Sequence, residues 1–197
     1  MTTVLTITLA IAWLAASATA RYWWWRASHD RLTGLPGREL LEARARRACW
    51  RASVGVLLLD LDGFKQVNDT FGHRVGDELL VTVAARLRRA VRRGETALRL
   101  HGDEFAVWLG AVDATTAAQR AAEVAAALAE PLQLDGQPLA VTASVGHAVG
   151  DARRGGLGDL LHTADQAMYV AKRAARLSRI AAATPAGRLR DQRGEVA

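Results

Sequence analysis

Two neighbouring carboxylates, Asp103 and Glu104, follow a glycine near the middle of the chain, in the stretch RLHGDEF at residues 99–105. Apolar segments that suit β-strands flank them at residues 97–100 and 105–109, so the pattern predicts a β-hairpin with an acidic turn. Paired carboxylates at the edge of a sheet repel each other unless a cation or a proton lies between them. The stretch therefore indicates a cation site, and a solvated turn is the alternative.

A second acidic cluster follows an apolar run. Residues 54–59 read VGVLLL and lead directly into Asp60 and Asp62. Such a run predicts a strand that is buried on both faces, which helices must cover. A carboxylate at the end of a buried strand is partly desolvated, and this is unfavourable unless the group is paired or bound to a metal. Asp60 and Asp62 are therefore further candidates for binding a cation.

The elements that position these acids alternate between helix and strand. The pattern predicts helices over residues 37–48, 77–91, 114–129 and 157–176, strands over 54–59, 132–134 and 139–145, and a polar, glycine-containing segment over 66–77. Alternation around one central hairpin predicts an α/β (α+β) domain in which a central, mainly antiparallel sheet is flanked by helices.

The N-terminus predicts a different element. Residues 4–20 carry no charge, and the aromatic and basic stretch RYWWWR follows them. A run of this kind with Tyr and Trp at its end is typical of a short transmembrane helix, so residues 1–26 are predicted to form a membrane anchor. Arg21 and Arg26 place the rest of the chain in the cytoplasm by the positive-inside tendency. A cleaved signal peptide is the alternative, because residues 18–20 are small.

Length and composition limit the classes of protein to which the chain can belong. The chain has 197 residues, a net charge of +6 and one cysteine, Cys49, which excludes an intramolecular disulfide framework. The basic residues are scattered, and this argues against a nucleic-acid partner. Only two of them are lysines, Lys65 and Lys172. Residues 178–197 show no sustained periodicity, so they are predicted to form a disordered tail.

Four separated motifs occur along the chain. They are DRLTGLPGR at residues 30–38, DLDGFKQVNDTFGHRVGD at 60–77, RLHGDEF at 99–105 and ADQAMYVAK at 164–172. With these motifs in this order, the chain resembles the GGDEF domain of diguanylate cyclases over residues 27–177. The resemblance implies a nucleotidyl cyclase-like fold.

The resemblance also implies a reaction, in which two GTP molecules are joined into cyclic di-GMP and two pyrophosphates are released. Each 3′-hydroxyl attacks the α-phosphate of the other nucleotide, so two domains face each other in a homodimer. The implied cofactor is Mg²⁺ (or Mn²⁺), because a hard cation with oxygen ligands neutralises the triphosphate and activates the hydroxyl.

The family match assigns the acids to metal binding and proton transfer. It implies that Asp60 and Asp103 bind the metal through their carboxylates and that Leu61 binds it through its backbone carbonyl. Glu104 is implied to act on the attacking hydroxyl, either as general base or through a second metal. Asp103 and Glu104 are thus the implied catalytic residues.

Asn68 and Asp77 match the guanine-binding pair of the family. Guanine presents N1–H and N2–H donors that suit a carboxylate, and an amide can bind its other groups. Taken alone, Asn68 would be explained as a turn residue and Asp77 as a helix N-cap.

The match implies phosphate-binding residues as well. The backbone amides around Gly63 and Phe64 would surround a phosphate, and the signature glycine Gly102 permits close approach of the backbone. Lys172 and Arg176 are four residues apart on one predicted helix face, where they would bind the terminal phosphates. The alternative for these two residues is that they are solvated surface charges.

The chain departs from the family pattern at two places. His101 stands where the first signature residue is usually glycine, and its larger side chain is expected to crowd the α-phosphate or the partner nucleotide. The product-inhibition site of the family, Arg-x-x-Asp, corresponds to Arg92 and Glu95, with the longer acid in place of aspartate. We expect weakened rather than absent binding of cyclic di-GMP at this site.

The sequence thus favours a diguanylate cyclase that is anchored in the bacterial inner membrane, with its catalytic domain in the cytoplasm. The alternative is an inactive GGDEF domain that acts as a receptor or scaffold for GTP or cyclic di-GMP. The acids at positions 60, 103 and 104 favour the enzyme, whereas His101 favours the receptor.

Overall fold

The fold is given by a computed structural model, which describes residues 2–48, 53–134, 136–151 and 156–183. The helices of this part are α1 (Thr2–Ser28), α2 (Arg38–Arg47), α3 (Phe64–Phe71), α4 (His73–Ala90), α5 (Ala114–Ala129) and α6 (Gly156–Ala183). The strands are β1 (Val54–Leu61), β2 (Thr96–His101), β3 (Glu104–Gly110), β4 (Leu132–Leu134), β5 (Gln137–Leu139) and β6 (Ala143–Gly150).

Four antiparallel strands form the central sheet, in the order β2-β3-β1-β6. All 8 residues of β1 are buried, as the apolar run predicts for an inner strand that is covered on both faces. The strands β4 and β5 form a separate two-stranded ribbon. The structure therefore confirms the predicted α+β class and the mainly antiparallel sheet.

Alternate side chains of β1 pack against two different layers of helices. Leu57 and Leu59 belong to the core that is shared with α4 and α5, while Val56 and Leu58 belong to the core that is shared with α2 and α6. Side chains along a strand alternate between its two faces. Asp60 therefore lies on the same face as Leu58, which is the face that α6 covers.

Gly146 of β6 allows α6 to pack directly on the sheet. A Cβ atom at this position would lie 2.1 Å from the carbonyl oxygen of Ala164 and 2.3 Å from the backbone nitrogen of Met168. Contacts that short do not occur between real atoms, so a larger residue at position 146 would push the helix away. The absence of a side chain here sets the distance between α6 and the end of β1.

Two helices include the polar, glycine-containing segment over residues 66–77, to which the sequence assigns no helix. This segment forms most of α3 and the start of α4, so α3 was not predicted and α4 begins earlier than the predicted residue 77. Gly63 and Gly72 have φ values of +79° and +83°, a region that glycine enters without the penalty of a Cβ atom. Gly63 thus precedes α3, and Gly72 separates α3 from α4 where an irregular segment was expected.

The C-terminal part also differs from the expectation. The helix α6 continues to Ala183, whereas the sequence predicts a helix that ends at residue 176 and a tail that begins at residue 178. The predicted strand over residues 139–145 falls on two strands, β5 and β6. The remainder of the predicted tail, residues 184–197, lies outside the described residues, as does Cys49.

The N-terminal residues form one helix, α1, which continues through the aromatic stretch. Many of its large apolar side chains are exposed, including those of Trp23, Trp24 and Trp25. Within the described ranges, no helix is both long and apolar enough to cross a membrane. The predicted transmembrane helix is therefore not confirmed.

Candidate functional site

Three carboxylates lie where β1 ends and β3 begins, and we call Asp60, Asp103 and Glu104 the acidic edge. The strand register places Asp60 opposite Glu104, which is the first residue of β3. Asp103 lies in the turn between β2 and β3, so the predicted acidic hairpin is confirmed. Like charges that face each other on neighbouring strands are unfavourable. The acidic edge therefore needs a cation.

Lys172 of α6 brings a positive charge to the acidic edge. Its Nζ atom donates a hydrogen bond of 2.7 Å to Oδ1 of Asp60, whose side chain is only 11% exposed. This hydrogen bond raises the pKa of Lys172 above its usual value, while burial opposes the rise and the charges of Asp60, Asp103 and Asp62 add to it. The ammonium group therefore stays charged at neutral pH and neutralises part of the acidic edge.

The register of the sheet explains how Lys172 reaches Asp60. The pairing of β1 with β6 aligns Leu58 with Gly146, on which Met168 packs, and Asp60 lies two residues farther along β1. Lys172 follows Met168 by about one helical turn, roughly 6 Å, which equals about two residues of strand. The close approach at Gly146 thus aligns Lys172 with Asp60.

A cavity of about 580 Å³ lies beside the acidic edge. Its lining residues include Asp60, Glu104, Asp165, Met168, Tyr169 and Lys172. Asp165 and Tyr169 belong to the fourth motif, but the sequence assigned them no role, because their approach to Asp60 depends on how α6 packs on β6. The cavity therefore extends the site along α6, beyond the residues that were predicted to bind a ligand.

Asp62, the second acid after β1, has a structural role. Its carboxylate accepts hydrogen bonds from the hydroxyls of Thr142, at 2.6 Å, and Ser144, at 2.7 Å. Its backbone N–H also donates to the carbonyl of Thr142 at 2.9 Å. Asp62 thereby ties the end of β1 to β6, so the two acids that end this strand have different tasks.

The predicted phosphate-binding residues lie close in sequence to Asp60, at the start of α3. Leu61 is buried at the end of β1, Gly63 turns the chain with a φ of +79°, and Phe64 is the first residue of the helix. The N–H groups of a first helical turn have no partners within the helix, and they suit a phosphate. On α6, Arg176 is exposed about one turn beyond Lys172, as predicted.

Asn68 and Asp77 lie on α3 and α4, which pack against each other. Oδ1 of Asn68 is so close to Gly76 that a Cβ atom there would lie only 1.9 Å from it. Asn68 is therefore next to the residue that precedes Asp77, and Asp77 is exposed. Since both residues lie inside helices, Asn68 is not a turn residue and Asp77 is not an N-cap.

Arg99 links the acidic hairpin to the turn that follows α1. Its Nη1 atom donates to Oδ1 of Asp30 at 2.8 Å, and its Nε and Nη2 atoms donate to the carbonyl of Gly102 at 3.0 and 2.7 Å. Burial raises the pKa of Asp30, but hydrogen bonds from Thr33 and Arg99 outweigh this effect and lower the pKa overall. Sequence reasoning missed this pair because its members are 69 residues apart.

His101 contacts the acidic edge directly. Its Nε2 atom lies 3.3 Å from Oε2 of Glu104, and its side chain is otherwise solvated, with 70% of its surface exposed. The next residue, Gly102, has a φ of +50° that glycine adopts without strain. His101, the first residue of the signature, therefore contacts Glu104. The sequence did not predict this contact.

Arg92 and Glu95, the predicted product-binding residues, lie in a second charged group. Arg120 of α5 donates to Glu95 through Nε at 2.8 Å and through Nη2 at 2.7 Å. Arg92 donates through Nη2 to both carboxylate oxygens of Glu123, at 2.9 and 3.0 Å. Arg120 also pairs with Glu123. We call these four residues the paired cluster.

Burial distinguishes the paired cluster from ordinary surface charges. The side chains of Arg120 and Glu95 are 5% and 8% exposed. The hydrogen bond to Glu95 raises the pKa of Arg120, burial opposes this effect and Glu123 adds to it, while Arg120 in turn lowers the pKa of Glu123. Sequence reasoning missed Arg120 and Glu123, whose only signal is their three-residue spacing on an alanine-rich helix.

The donors of the acidic edge fit a magnesium ion that is shared with a phosphate. In nucleotide sites, Mg²⁺ is held by one or two carboxylates together with phosphate oxygens and water. Asp60, Asp103 and the carbonyl of Leu61 offer such a set, and the ammonium of Lys172 on Asp60 shows that the edge accepts a cation. Among the residues that the structure describes, no group of three or more His, Cys, Asp or Glu side chains is arranged to hold a metal alone.

Comparisons with known proteins place this site in a family. The chain is 41% identical to the diguanylate cyclase TpbB from Pseudomonas aeruginosa over 161 residues, which are 78% of this chain and 37% of TpbB. The crystal structure of the GGDEF domain of TpbB, also called YfiN, matches with a TM-score of 0.66 and 37% identity, over 72% of this chain and 92% of that one. The chain thus spans little more than a third of the length of this curated relative.

A second solved structure matches a larger part of the chain. It is the coiled coil and GGDEF domain of DgcB from Caulobacter crescentus in complex with c-di-GMP, with a TM-score of 0.73, 26% identity and coverage of 86% of this chain and 95% of that one. The family model described as "Diguanylate cyclase, GGDEF domain" matches residues 27–178. The chain belongs to the GGDEF domain family of diguanylate cyclases.

Proposed function

We propose that the chain is a diguanylate cyclase that condenses two GTP molecules into cyclic di-GMP and releases two pyrophosphates. The observation that carries the proposal is the acidic edge, where Asp60 and Glu104 face each other on adjoining strands, Asp103 lies in the turn before Glu104, and a lysine ammonium is already bound to Asp60. Family membership supports the same reaction.

In this proposal each domain binds one GTP through residues of the helices α3, α4 and α6 and of the turn that precedes α3. Asn68 of α3 and Asp77 of α4 bind the guanine edge, because a carboxylate accepts from N1–H and N2–H while an amide can donate and accept. The backbone N–H groups near Gly63 bind phosphate oxygens at the start of α3. Lys172 and Arg176 of α6 bind the terminal phosphates through charge-assisted hydrogen bonds.

The acidic edge then supports the transfer step. Mg²⁺ (or Mn²⁺), when bound, supplies charge neutralisation of the triphosphate and of the leaving pyrophosphate. Asp60, Asp103 and the carbonyl of Leu61 are the groups that would hold it. Glu104 accepts the proton of the attacking 3′-hydroxyl, while the new bond forms from this oxygen to the α-phosphorus of the other GTP. The bond from that phosphorus to the bridging oxygen breaks, and pyrophosphate leaves.

The reaction requires a homodimer, because each hydroxyl attacks the nucleotide of the other domain. The exposed apolar side chains of α1 support a pairing role for this helix. The relative DgcB has a coiled coil together with its GGDEF domain, and its match reaches 86% of this chain. Attachment of residues 1–26 to the bacterial inner membrane, with the domain in the cytoplasm, stays a prediction on which the proposed reaction does not depend.

We propose that product inhibition, through binding of cyclic di-GMP at Arg92 and Glu95, is weakened in this chain. A guanine base or phosphate that binds there has to compete with Glu123 for Arg92 and with Arg120 for Glu95. Since each of these groups already has a charged partner, binding of cyclic di-GMP is weaker than at a site with unpaired groups. Isothermal titration with cyclic di-GMP measures this affinity.

A receptor or scaffold without catalysis is the second candidate. The observation that favours it is the contact of His101 with Glu104, because this contact competes for the group that is proposed to accept the proton. The two candidates share nucleotide binding and differ in turnover.

Incubation of the purified full chain with GTP and Mg²⁺ tests the proposal. We expect cyclic di-GMP in the product, detected by liquid chromatography and mass spectrometry, and no product from the matched variant Asp103→Asn. If a dimeric sample binds GTP and yields no cyclic di-GMP, the cyclase proposal is wrong and the receptor is favoured.

A further inference from the structure

Lys172 and Asp60 form a contact that conflicts with the ligands proposed for each of them. The proposed reaction gives Asp60 to the metal and Lys172 to the terminal phosphates. In the structure, however, Nζ of Lys172 lies 2.7 Å from Oδ1 of Asp60. One of the two oxygens of the proposed metal ligand Asp60 therefore already accepts from an ammonium group.

An ammonium group and a metal ion on the same carboxylate oppose each other, whichever of its two oxygens the metal uses. Two cations only a few ångströms apart repel each other strongly, above all beside a carboxylate that is largely shielded from water. The side chain of Asp60 is 11% exposed, so solvent screens this repulsion poorly. Lys172 in its observed position therefore disfavours binding of the metal at Asp60, and its departure favours it.

Lys172 is able to leave without a change in the backbone. Its side chain is 49% exposed, whereas that of Asp60 is fixed at the end of a buried strand. A lysine carries a compact charge on four flexible methylene groups, and it makes no forked contact of the kind that would hold an arginine. Apart from Lys65, every other lysine or arginine position of the chain is an arginine. The lysine at position 172 is a cation that exchanges between ligands more easily than an arginine would.

We propose that Lys172 is an exchangeable counter-ion of Asp60, which holds the metal position in the nucleotide-free chain and passes to the phosphates when Mg²⁺ and GTP arrive. This inference rests on the proposed function. Its consequence is that Lys172 opposes binding of the metal alone and favours binding of metal and nucleotide together. The acidic edge is thereby kept neutralised both before and after loading.

The test measures binding of Mn²⁺ to the nucleotide-free full chain by electron paramagnetic resonance at one fixed pH. Lys172→Met keeps the length of the side chain and removes its charge, so we expect Mn²⁺ to bind about three- to tenfold more tightly than to the wild type. Lys172→Gln serves as a second neutral variant. Asp60→Asn removes the ligand and abolishes the gain when it is combined with either variant.

Arg173→Met is the matched control for charge. Arg173 is the next residue on α6 and lies over the ring of Tyr169, at 5.9 Å from the ring centre. Its loss removes the same unit of charge from the same helix but leaves the Lys172–Asp60 contact in place. We expect Mn²⁺ affinity of this variant to stay within about twofold of the wild type, because exposed charges are well screened.

A second measurement follows the nucleotide. With a GTP analogue in which methylene replaces the oxygen between the α- and β-phosphorus atoms, Mn²⁺ affinity of the wild type is expected to rise. For Lys172→Met the rise is smaller, because no counter-ion has to be moved and one phosphate contact is lost.

The proposal is overturned if neither neutral variant binds Mn²⁺ more tightly than the wild type, or if Arg173→Met gives the same gain. Circular dichroism of each variant checks that the chain is folded. Because no turnover is involved, these outcomes differ from failure of the proposed function, which is absence of cyclic di-GMP from wild-type protein.

Discussion

The acidic edge and the paired cluster contain the same kinds of side chain, but their charges balance differently. In the paired cluster, Glu95 and Glu123 are matched by Arg92 and Arg120 through hydrogen bonds of 2.7 to 3.0 Å. The acidic edge has three carboxylates and one contact to a lysine ammonium. In the paired cluster every charge has an opposite charge within the chain. The acidic edge has fewer positive than negative charges, and this deficit makes it the group of the two that is suited to a cationic ligand.

The difference also concerns what each group contributes. Buried, paired charges are weak evidence for stability, yet removal of one partner is strongly destabilising because the other charge stays buried. Carboxylates that repel each other cost stability, and a protein keeps them where they have another task. The comparison therefore predicts losses of activity at the acidic edge and losses of stability in the paired cluster.

The largest expected effect is on catalysis. Glu104→Gln removes the group that accepts the proton of the attacking hydroxyl, so formation of cyclic di-GMP should fall by about 10² to 10⁴-fold. The free energy of unfolding of this variant, measured in urea, should stay the same or increase. The reason is that the charge of Glu104, which faces the charge of Asp60 across β3 and β1, is removed.

The matched control for this change is Glu78→Gln. Glu78 is exposed on α4 and pairs with Arg74 at 3.8 Å, so neither activity nor stability should change appreciably. If Glu104→Gln keeps at least a third of wild-type activity, Glu104 is not the proton acceptor.

In the paired cluster the expected loss is in stability. Arg120→Met leaves Glu95 buried without its guanidinium partner, and the free energy of unfolding should fall by about 3–5 kcal/mol. Arg92→Met is the control, because the side chain of Arg92 is 59% exposed and its pair with Glu123 is worth less than about 1 kcal/mol. If urea unfolding shows the same loss of unfolding free energy for both variants, burial of Arg120 does not make its ion pair more important for stability than that of the exposed Arg92.

A third prediction concerns pH, through Asp30, which accepts a hydrogen bond from Arg99 of the acidic hairpin. Its pKa is lower in the folded than in the unfolded chain, so the folded state binds fewer protons at this group. The resulting stability is present above the unfolded pKa, near 3.8, and is lost as pH falls through the lower folded pKa. In Asp30→Asn this part of the acid-induced loss should be absent, as urea unfolding from pH 5 downward will measure.

The outcome against this prediction is an identical dependence of stability on pH in the wild type and in Asp30→Asn. Asp113→Asn is a useful comparison, because Asp113 also has a lowered pKa but caps α5 by accepting from Thr116, away from Arg99. A change in cyclase activity is expected for Asp30→Asn and not for Asp113→Asn.

The smallest effect is expected at His101. An exposed contact of 3.3 Å with Glu104 is worth less than about 1 kcal/mol, so His101→Gly should raise the rate of cyclic di-GMP formation by up to about fivefold. His101→Asn, which keeps a polar group at this position, should give a smaller rise. Steady-state rates at saturating GTP measure both variants. If the rate of His101→Gly equals that of the wild type, His101 does not slow the formation of cyclic di-GMP.

Much of the fold could be predicted because local patterns agree with the tertiary structure. The helix over residues 114–129 was predicted with its observed bounds, and its N-cap Asp113 accepts from Thr116 at 2.7 Å. The buried strand β1 and the acidic hairpin were also predicted, since a continuous apolar run and a glycine between two strands are local signals. The helices around Gly72 were misjudged because a glycine that ends one helix and starts the next has the same local pattern as a loop.

The sequence by itself was sufficient to identify the acids at positions 60, 103 and 104 as candidate site residues, to recognise the motifs around them and to predict the α+β class. Only the tertiary structure decided that Lys172 meets Asp60, that Arg99 holds Asp30 and Gly102, and that Arg120 and Glu123 complete a group with Glu95 and Arg92. The physical reason is that charges act over a few ångströms in space. The partner of a charge therefore depends on strand register, on a missing Cβ atom at Gly146 and on burial, which spacing along the chain does not contain.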